Sequence, residues 1–214
     1  MTRNITWVTS ALVFTGLITP THAQVGKNKD GIVYVDSATK EELVKVPGVT
    51  PALADAIMDG RPFADMLAVD KVVAAHMAAP EERKSLYAKL FLPINLNTAT
   101  REEIMLVPGV GEKMAHEFEE YRPYDGLARF RREIGKYVNE TEVARFEQYV
   151  FVPIDLNKAS DADLHTIPGL GKRMVREFKE YRPYKNIEKF RHEIGKYVDA
   201  KQVARLERYI TIKQ

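Results

Sequence analysis

Apolar positions from residue 33 onward recur at helical spacing in short blocks that proline keeps cutting off. Met114, Phe118 and Tyr121 fall at i, i+4 and i+7, and Met174, Phe178 and Tyr181 repeat the same stripe. Phe130 and Ile134 begin a further helical segment; Val143, Phe146, Tyr149 and Val150 line one face of the next, and Val203, Leu206, Tyr209 and Ile210 copy that face. Prolines stop these blocks at Pro123 and Pro183, and earlier at Pro47, Pro108 and Pro168. No stretch keeps a period of two, so the pattern predicts an all-α protein made of short helices.

The blocks belong to a repeat. Ile94-Asn-Leu-Asn-Thr-Ala-Thr-Arg-Glu-Glu-Ile104 returns as Ile154-Asp-Leu-Asn-Lys-Ala-Ser-Asp-Ala-Asp-Leu164, with a fainter copy at Val33-Tyr-Val-Asp-Ser-Ala-Thr-Lys-Glu-Glu-Leu43. Pro47-Gly48, Pro108-Gly109 and Pro168-Gly169 keep the same phase, as do Arg61-Pro62, Arg122-Pro123 and Arg182-Pro183. Glu-Ile-Gly-Lys-Tyr-Val and Val-Ala-Arg recur in the last two copies. We read three tandem units, 33–93, 94–153 and 154–214. Each opens with a capping-box pattern: Thr39 with Glu42, Thr100 with Glu103, Ser160 with Asp163. The junctions Phe91-Leu-Pro-Ile-Asn-Leu-Asn97 and Phe151-Val-Pro-Ile-Asp-Leu-Asn157 are apolar and stiffened by proline. They predict a semi-rigid rod with fixed angles between units.

The first 23 residues read as a secretory signal. Arg3 is the only charge before Lys27, Ile5 to Ile18 is apolar but short for a bilayer, and Thr21-His22-Ala23 offers small residues for cleavage. A chain starting at Gln24 follows, with 24–32 a polar, disordered leader; an uncleaved membrane anchor is the alternative. The expected location is periplasmic or secreted. Cys is absent from all 214 residues, which removes disulfides, thiolate metal sites and thiol catalysis. The five His residues show no metal-ligand spacing, and no Ser lies in a nucleophile elbow. The chain therefore reads as non-enzymatic, without a metal or other cofactor.

Two short helices joined by Pro108-Gly-Val-Gly111 or Pro168-Gly-Leu-Gly171 resemble the helix-hairpin-helix motif. The run from Asn97 to Gly111 is similar to the ComEA family of exported DNA receptors. That resemblance implies a four-helix (HhH)2 domain in each unit and a role in DNA uptake. The second half of each unit departs from the pattern: Lys136-Tyr-Val-Asn139 and Lys196-Tyr-Val-Asp199 stand where hairpin glycines belong. Unit one departs further, with Thr50-Pro51 in place of the second glycine and its neighbour. The family also makes a monovalent cation on the hairpin carbonyls conceivable, though no residue demands one.

Glycines let such a turn bring its amides up to a phosphate, a helix N-terminus favours the anion, and a nearby cation adds charge without reading bases. This logic grades the units. Unit three offers Gly169, Leu170, Gly171, Lys172, Arg173 and Arg176; unit two offers Gly109, Val110, Gly111 and Lys113, but with Glu112 beside them. Unit one has Gly48 and no cation between Lys45 and Arg61. The net charge of +2 hides the same gradient: 33–93 carries 7 basic and 9 acidic groups, 94–153 carries 8 and 11, and 154–214 carries 14 and 9. The expected partner is double-stranded DNA, bound without sequence preference. An extracytoplasmic protein complex is the alternative, since the same fold makes protein contacts in the extrinsic subunit U of photosystem II. Tyr121, Tyr124, Tyr181 and Tyr184 are expected to pack, with base stacking the lesser option. Arg61, Arg122 and Arg182 are expected to bond carbonyls at the helix end they follow.

Overall fold

The computed structural model describes residues 26–213, and it is predominantly helical. The first segment of chain runs β1 (Val33–Tyr34), α1 (Lys40–Leu43), α2 (Pro51–Gly60), α3 (Met66–His76), α4 (Pro80–Tyr87) and β2 (Leu90–Phe91). The second runs β3 (Ile94–Asn95), α5 (Arg101–Met105), α6 (Glu112–Glu120), α7 (Leu127–Ile134), α8 (Glu140–Phe146), a 3-10 turn at Glu147–Tyr149 and β4 (Val150–Phe151). The third runs β5 (Ile154–Asp155), α9 (Asp161–Leu164), α10 (Lys172–Glu180), α11 (Ile187–Ile194), α12 (Ala200–Glu207) and β6 (Ile210–Thr211). The signal and the first residues of the leader lie outside the described residues.

The capping boxes form as the sequence implies. Thr39, Thr100 and Ser160 each accept a hydrogen bond from the N3 amide, and the N3 carboxylate accepts one from the cap amide. A cap of this kind is worth about 1 kcal/mol, enough to matter for helices of four or five residues that gain little from propagation. The sequence pattern gave no sign of the strands. Each is two residues long, and each pairs in parallel with the strand four helices away: Val33 with Leu90, Ile94 with Val150, Ile154 with Ile210. A parallel pair needs a long crossover, here four helices, so each segment is entered and left at one place.

Aromatic rings fill the cores edge to face. Phe118 lies 5.0 Å from Phe130 and 5.7 Å from Phe146, and Phe178 lies 5.3 Å from Phe190. The buried residues of the first two segments merge into a single cluster, while those from Phe151 to Ile210 form their own. Tyr124 and Tyr184 are buried packing residues, as expected.

A clamp joins the start of a segment to its middle. In the third segment Asn157 Nδ2 donates to the Tyr184 carbonyl at 2.9 Å, and the Tyr184 amide donates back to Asn157 Oδ1 at 2.7 Å. Asn97 and Tyr124 do the same at 2.9 and 2.6 Å. Replacing Asn157 by Ala strands a buried amide and carbonyl together, so Asn157→Ala is expected to cost about 2–3 kcal/mol in denaturant unfolding. An unchanged midpoint would show that the clamp contributes nothing.

Three expectations are corrected. The chain is not a rod that holds its end units apart. The first segment carries Asp36 where the others have Asn97 and Asn157, and this carboxylate is 2% exposed. A buried charge needs partners, and Asp36 finds them in the third segment: Tyr209 Oη donates to it at 2.6 Å, and Arg208 Nη1 lies 3.8 Å away. The first and third segments therefore meet, with Arg208 also donating to the Pro93 carbonyl at 3.2 Å. The first and second segments are joined by the Met66 amide, which donates to Glu103 Oε1 at 3.0 Å.

The second correction concerns the leader. Its described residues are fixed on the second segment, because Gln148 Oε1 accepts from the amides of Lys29 and Asp30, both at 2.9 Å. The third concerns the arginines before proline. Arg61 and Arg122 donate to carbonyls at Val35, Leu96 and Ala99, and Arg182 to Ala159. They tie down the start of each segment rather than the end of their own helix. Their charge is thereby spent inside the fold.

Candidate nucleic-acid interface

The second and third hairpins share one backbone. Gly109 and Gly169 adopt φ of +78° and +70°, the left-handed region in which a Cβ is strained. The turn closes through Val110 N to Val107 O at 3.0 Å, and Leu170 N to Ile167 O at 3.1 Å. Val110 and Leu170 point inward and are buried, so they anchor the loop in the core and do not face solvent.

Gly111 and Gly171 are the N-caps of α6 and α10, and neither supplies a side-chain cap. The first-turn amides of both helices are left to solvent or a ligand. A Cβ on Gly111 or Gly171 would meet nothing within 4 Å, so the approach to these amides is open.

The side chains around the two turns differ. Lys172, Arg173 and Arg176 are all exposed on the first two turns of α10. Lys172 and Arg176 form no ion pair among the described residues, and Arg173 lies over the Tyr197 ring at 5.6 Å from its centroid. Lys179, on the same helix, is neutralised by Asp161 at 2.5 Å. In the second hairpin Lys113 is exposed, but Glu112 precedes it and pairs with Arg101 at 3.3 Å. The sequence-derived grading thus has a geometric counterpart: both turns present amides, and the third presents them beside unpaired cations.

The first hairpin is closed to an anion. Thr50 caps α2 by accepting from the Leu53 amide at 3.2 Å, and Pro51 has no amide to give. The second half of each later segment is closed in the same way. Asn139 caps α8, accepting from the Glu142 amide at 2.9 Å, and Asp199 caps α12, accepting from the Gln202 amide at 2.8 Å. Among the described residues, no non-glycine residue has positive φ there or elsewhere. Tyr137 and Tyr197 stand at these turns and share hydrogen bonds with Tyr121 and Tyr181, at 2.8 and 2.7 Å.

One pair of residues behind the hairpins carries no role in the sequence reading. Arg145 Nη1 donates to the Pro108 carbonyl at 2.7 Å, and Arg205 Nη1 to the Pro168 carbonyl at 2.6 Å. These arginines close the recurrent Val-Ala-Arg triplet, and that recurrence was the available signal. Among the described residues, no group of three or more His, Asp or Glu side chains is placed to hold a metal ion. No described helix is long and apolar enough to cross a membrane.

Comparison with known proteins agrees with the hairpin geometry. Residues 37–60 and 93–118 match the helix-hairpin-helix motif family. The third hairpin is assigned here by its repeat of the second hairpin's sequence and backbone. The chain is similar to endonuclease/exonuclease/phosphatase family domain-containing protein 1 of Xenopus laevis, 29% identical over 129 residues. That match covers 44% of this chain and 23% of the relative, so it spans about a quarter of that protein's length. No solved structure matches. The chain thus carries helix-hairpin-helix motifs, and the open amides of the second and third hairpins suit contact with nucleic acid.

Proposed function

We propose that this chain is an exported, non-enzymatic protein that binds double-stranded DNA through its phosphates, serving DNA uptake or retention. One observation carries the reading: the uncapped N-terminus of α10 at Gly171 stands beside Lys172 and Arg176, two exposed cations without a carboxylate partner. Backbone amides and flexible cations grip a phosphate diester without contacting base edges, so the binding is independent of sequence. Gly109, Gly111 and Lys113 form a weaker second site on the acidic middle segment. The relative's name places it among endonuclease, exonuclease and phosphatase proteins, which agrees with a nucleic-acid partner. Several carboxylates here are held in structural roles, as in the capping boxes and the Lys179–Asp161 pair, and this supports a binding protein over a catalyst.

A scaffold role is the second reading, and the first segment favours it. Its hairpin is self-capped, its charge is net acidic, and it exposes Val44 and Leu67. Gel shift of a short duplex, beside a pull-down from envelope extracts, separates the two. The DNA reading predicts a shift at low salt with any sequence. No shift, together with a stoichiometric protein captured from the envelope, would replace it by the scaffold.

A further inference from the structure

The two arginines behind the hairpins differ in one respect that bears on the proposed DNA site. Arg145 Nε donates to Glu142 Oε2 at 2.9 Å, and its Nη2 donates to the other oxygen of the same carboxylate. The charge is matched. This contact holds the Glu142 carboxyl below its ordinary range and the Arg145 guanidinium above its own. At the equivalent place in the third segment stands Gln202. Arg205 Nε donates to the neutral Gln202 Oε1 at 2.8 Å, and Nη1 to the Pro168 carbonyl. Neither acceptor carries a charge, and no ion pair with Arg205 exists among the described residues.

Arg205 is 6% exposed, and it lies against the hairpin itself. Its Nη2 and Nη1 stand 3.6 and 3.7 Å from where a Cβ on Gly169 would be, with Ser37 of the first segment 3.0 Å from that point. Nη2 has no hydrogen-bond acceptor among the described residues. Asp36, the buried carboxylate on this side, is engaged through Oδ2 by Tyr209 and Arg208, and its Oδ1 has no hydrogen-bond partner and makes no ion pair with Arg205. A buried cation without a direct ion pair is costly, and it is screened far less than Lys172 or Arg176 in solvent. A phosphate seated at the open end of the turn would supply the direct ion pair that Arg205 lacks.

We propose that Arg205 is a further phosphate-binding residue of the third hairpin, kept available by the neutral Gln202, whereas Glu142 withdraws Arg145 from that task in the second. The proposal rests on the DNA reading above and extends it to a residue on a different helix. It also accounts for a grading of the two hairpins beyond their surface charge.

The test is an exchange of the two neighbours in the full chain, read by the salt dependence of binding to a short duplex. Gln202→Glu gives Arg205 the partner that Arg145 has. It is expected to weaken binding about tenfold at low salt and to reduce the slope of log K against log salt by about one. Glu142→Gln is expected to raise that slope by about one. Ala204→Glu adds the same charge on the exposed face of α12 that Arg191 and Arg208 also line, and controls for simple repulsion. Equal losses in Gln202→Glu and Ala204→Glu, or a Gln202→Glu chain that binds like the wild type, would overturn the role of Arg205. A wild-type chain that binds no duplex would overturn the DNA reading, and this inference with it.

Discussion

A chain carrying Lys172→Glu with Arg173→Glu is expected to bind duplex DNA about a thousandfold more weakly than wild type, whatever the sequence. Two phosphate contacts are lost, and two like charges then face the backbone, a juxtaposition that costs several kcal/mol. The fold has little stake in either side chain. Both are exposed, and neither is in an ion pair among the described residues. Arg173 gives up its position over Tyr197, worth about 0.5–1 kcal/mol at an exposed site. Glutamates in the first turn of α10 suit the helix dipole, which offsets part of that loss. Circular dichroism and the melting temperature should therefore stay near wild type while the gel shift disappears. Lys113→Glu should weaken binding only modestly, and a change at Thr50 should leave it unaltered. Retained binding in the double variant, with its helices intact, would move the site elsewhere.

Phe178→Ala is expected to cost about 3–5 kcal/mol, a range typical of deleting a buried phenyl ring. Phe178 is fully buried and packs edge to face on Phe190. The third core is separate from the merged core of the first two segments, so the loss should fall on one part of the chain. Amides of α10, α11 and α12 should lose hydrogen-exchange protection, while those of α2, α3, α6 and α7 keep theirs. Duplex binding should fall with the third segment. A uniform loss of protection would show that the three segments unfold as one cooperative unit.

Much of the local structure was legible in the sequence because it depends on chemistry within a few residues. Thr100 with Glu103, or Gly109 with Gly111, specifies a helix start or a left-handed turn without reference to the rest of the chain. The strands escaped because a two-residue bridge such as Ile94 with Val150 is too short for any alternation to show. The curled arrangement escaped for a different reason. Asp36 in place of Asn97 and Asn157 is visible in the repeat, but its choice of Tyr209 as partner, 173 residues away, depends on packing. The same holds for the arginine behind the second and the third hairpin. Gln202 against Glu142 looks like a neutral drift between repeats until the structure puts each beside a guanidinium. Of the candidate site, Lys172, Arg173, Arg176 and Lys113 are exposed beside their turns, and Gly111 and Gly171 begin α6 and α10 without a side-chain cap. Val110 and Leu170 instead serve the core.

The central claim is that the third hairpin binds DNA through phosphates alone, and salt dependence tests it most directly. The full chain should be titrated against two short duplexes of unrelated sequence across a range of salt. With Lys172, Arg173, Arg176 and Arg205 each neutralising a phosphate, the account predicts one shared affinity and a log–log slope of about −3 to −4. A slope near zero, affinities that differ strongly between the duplexes, or no binding at the lowest salt would contradict it.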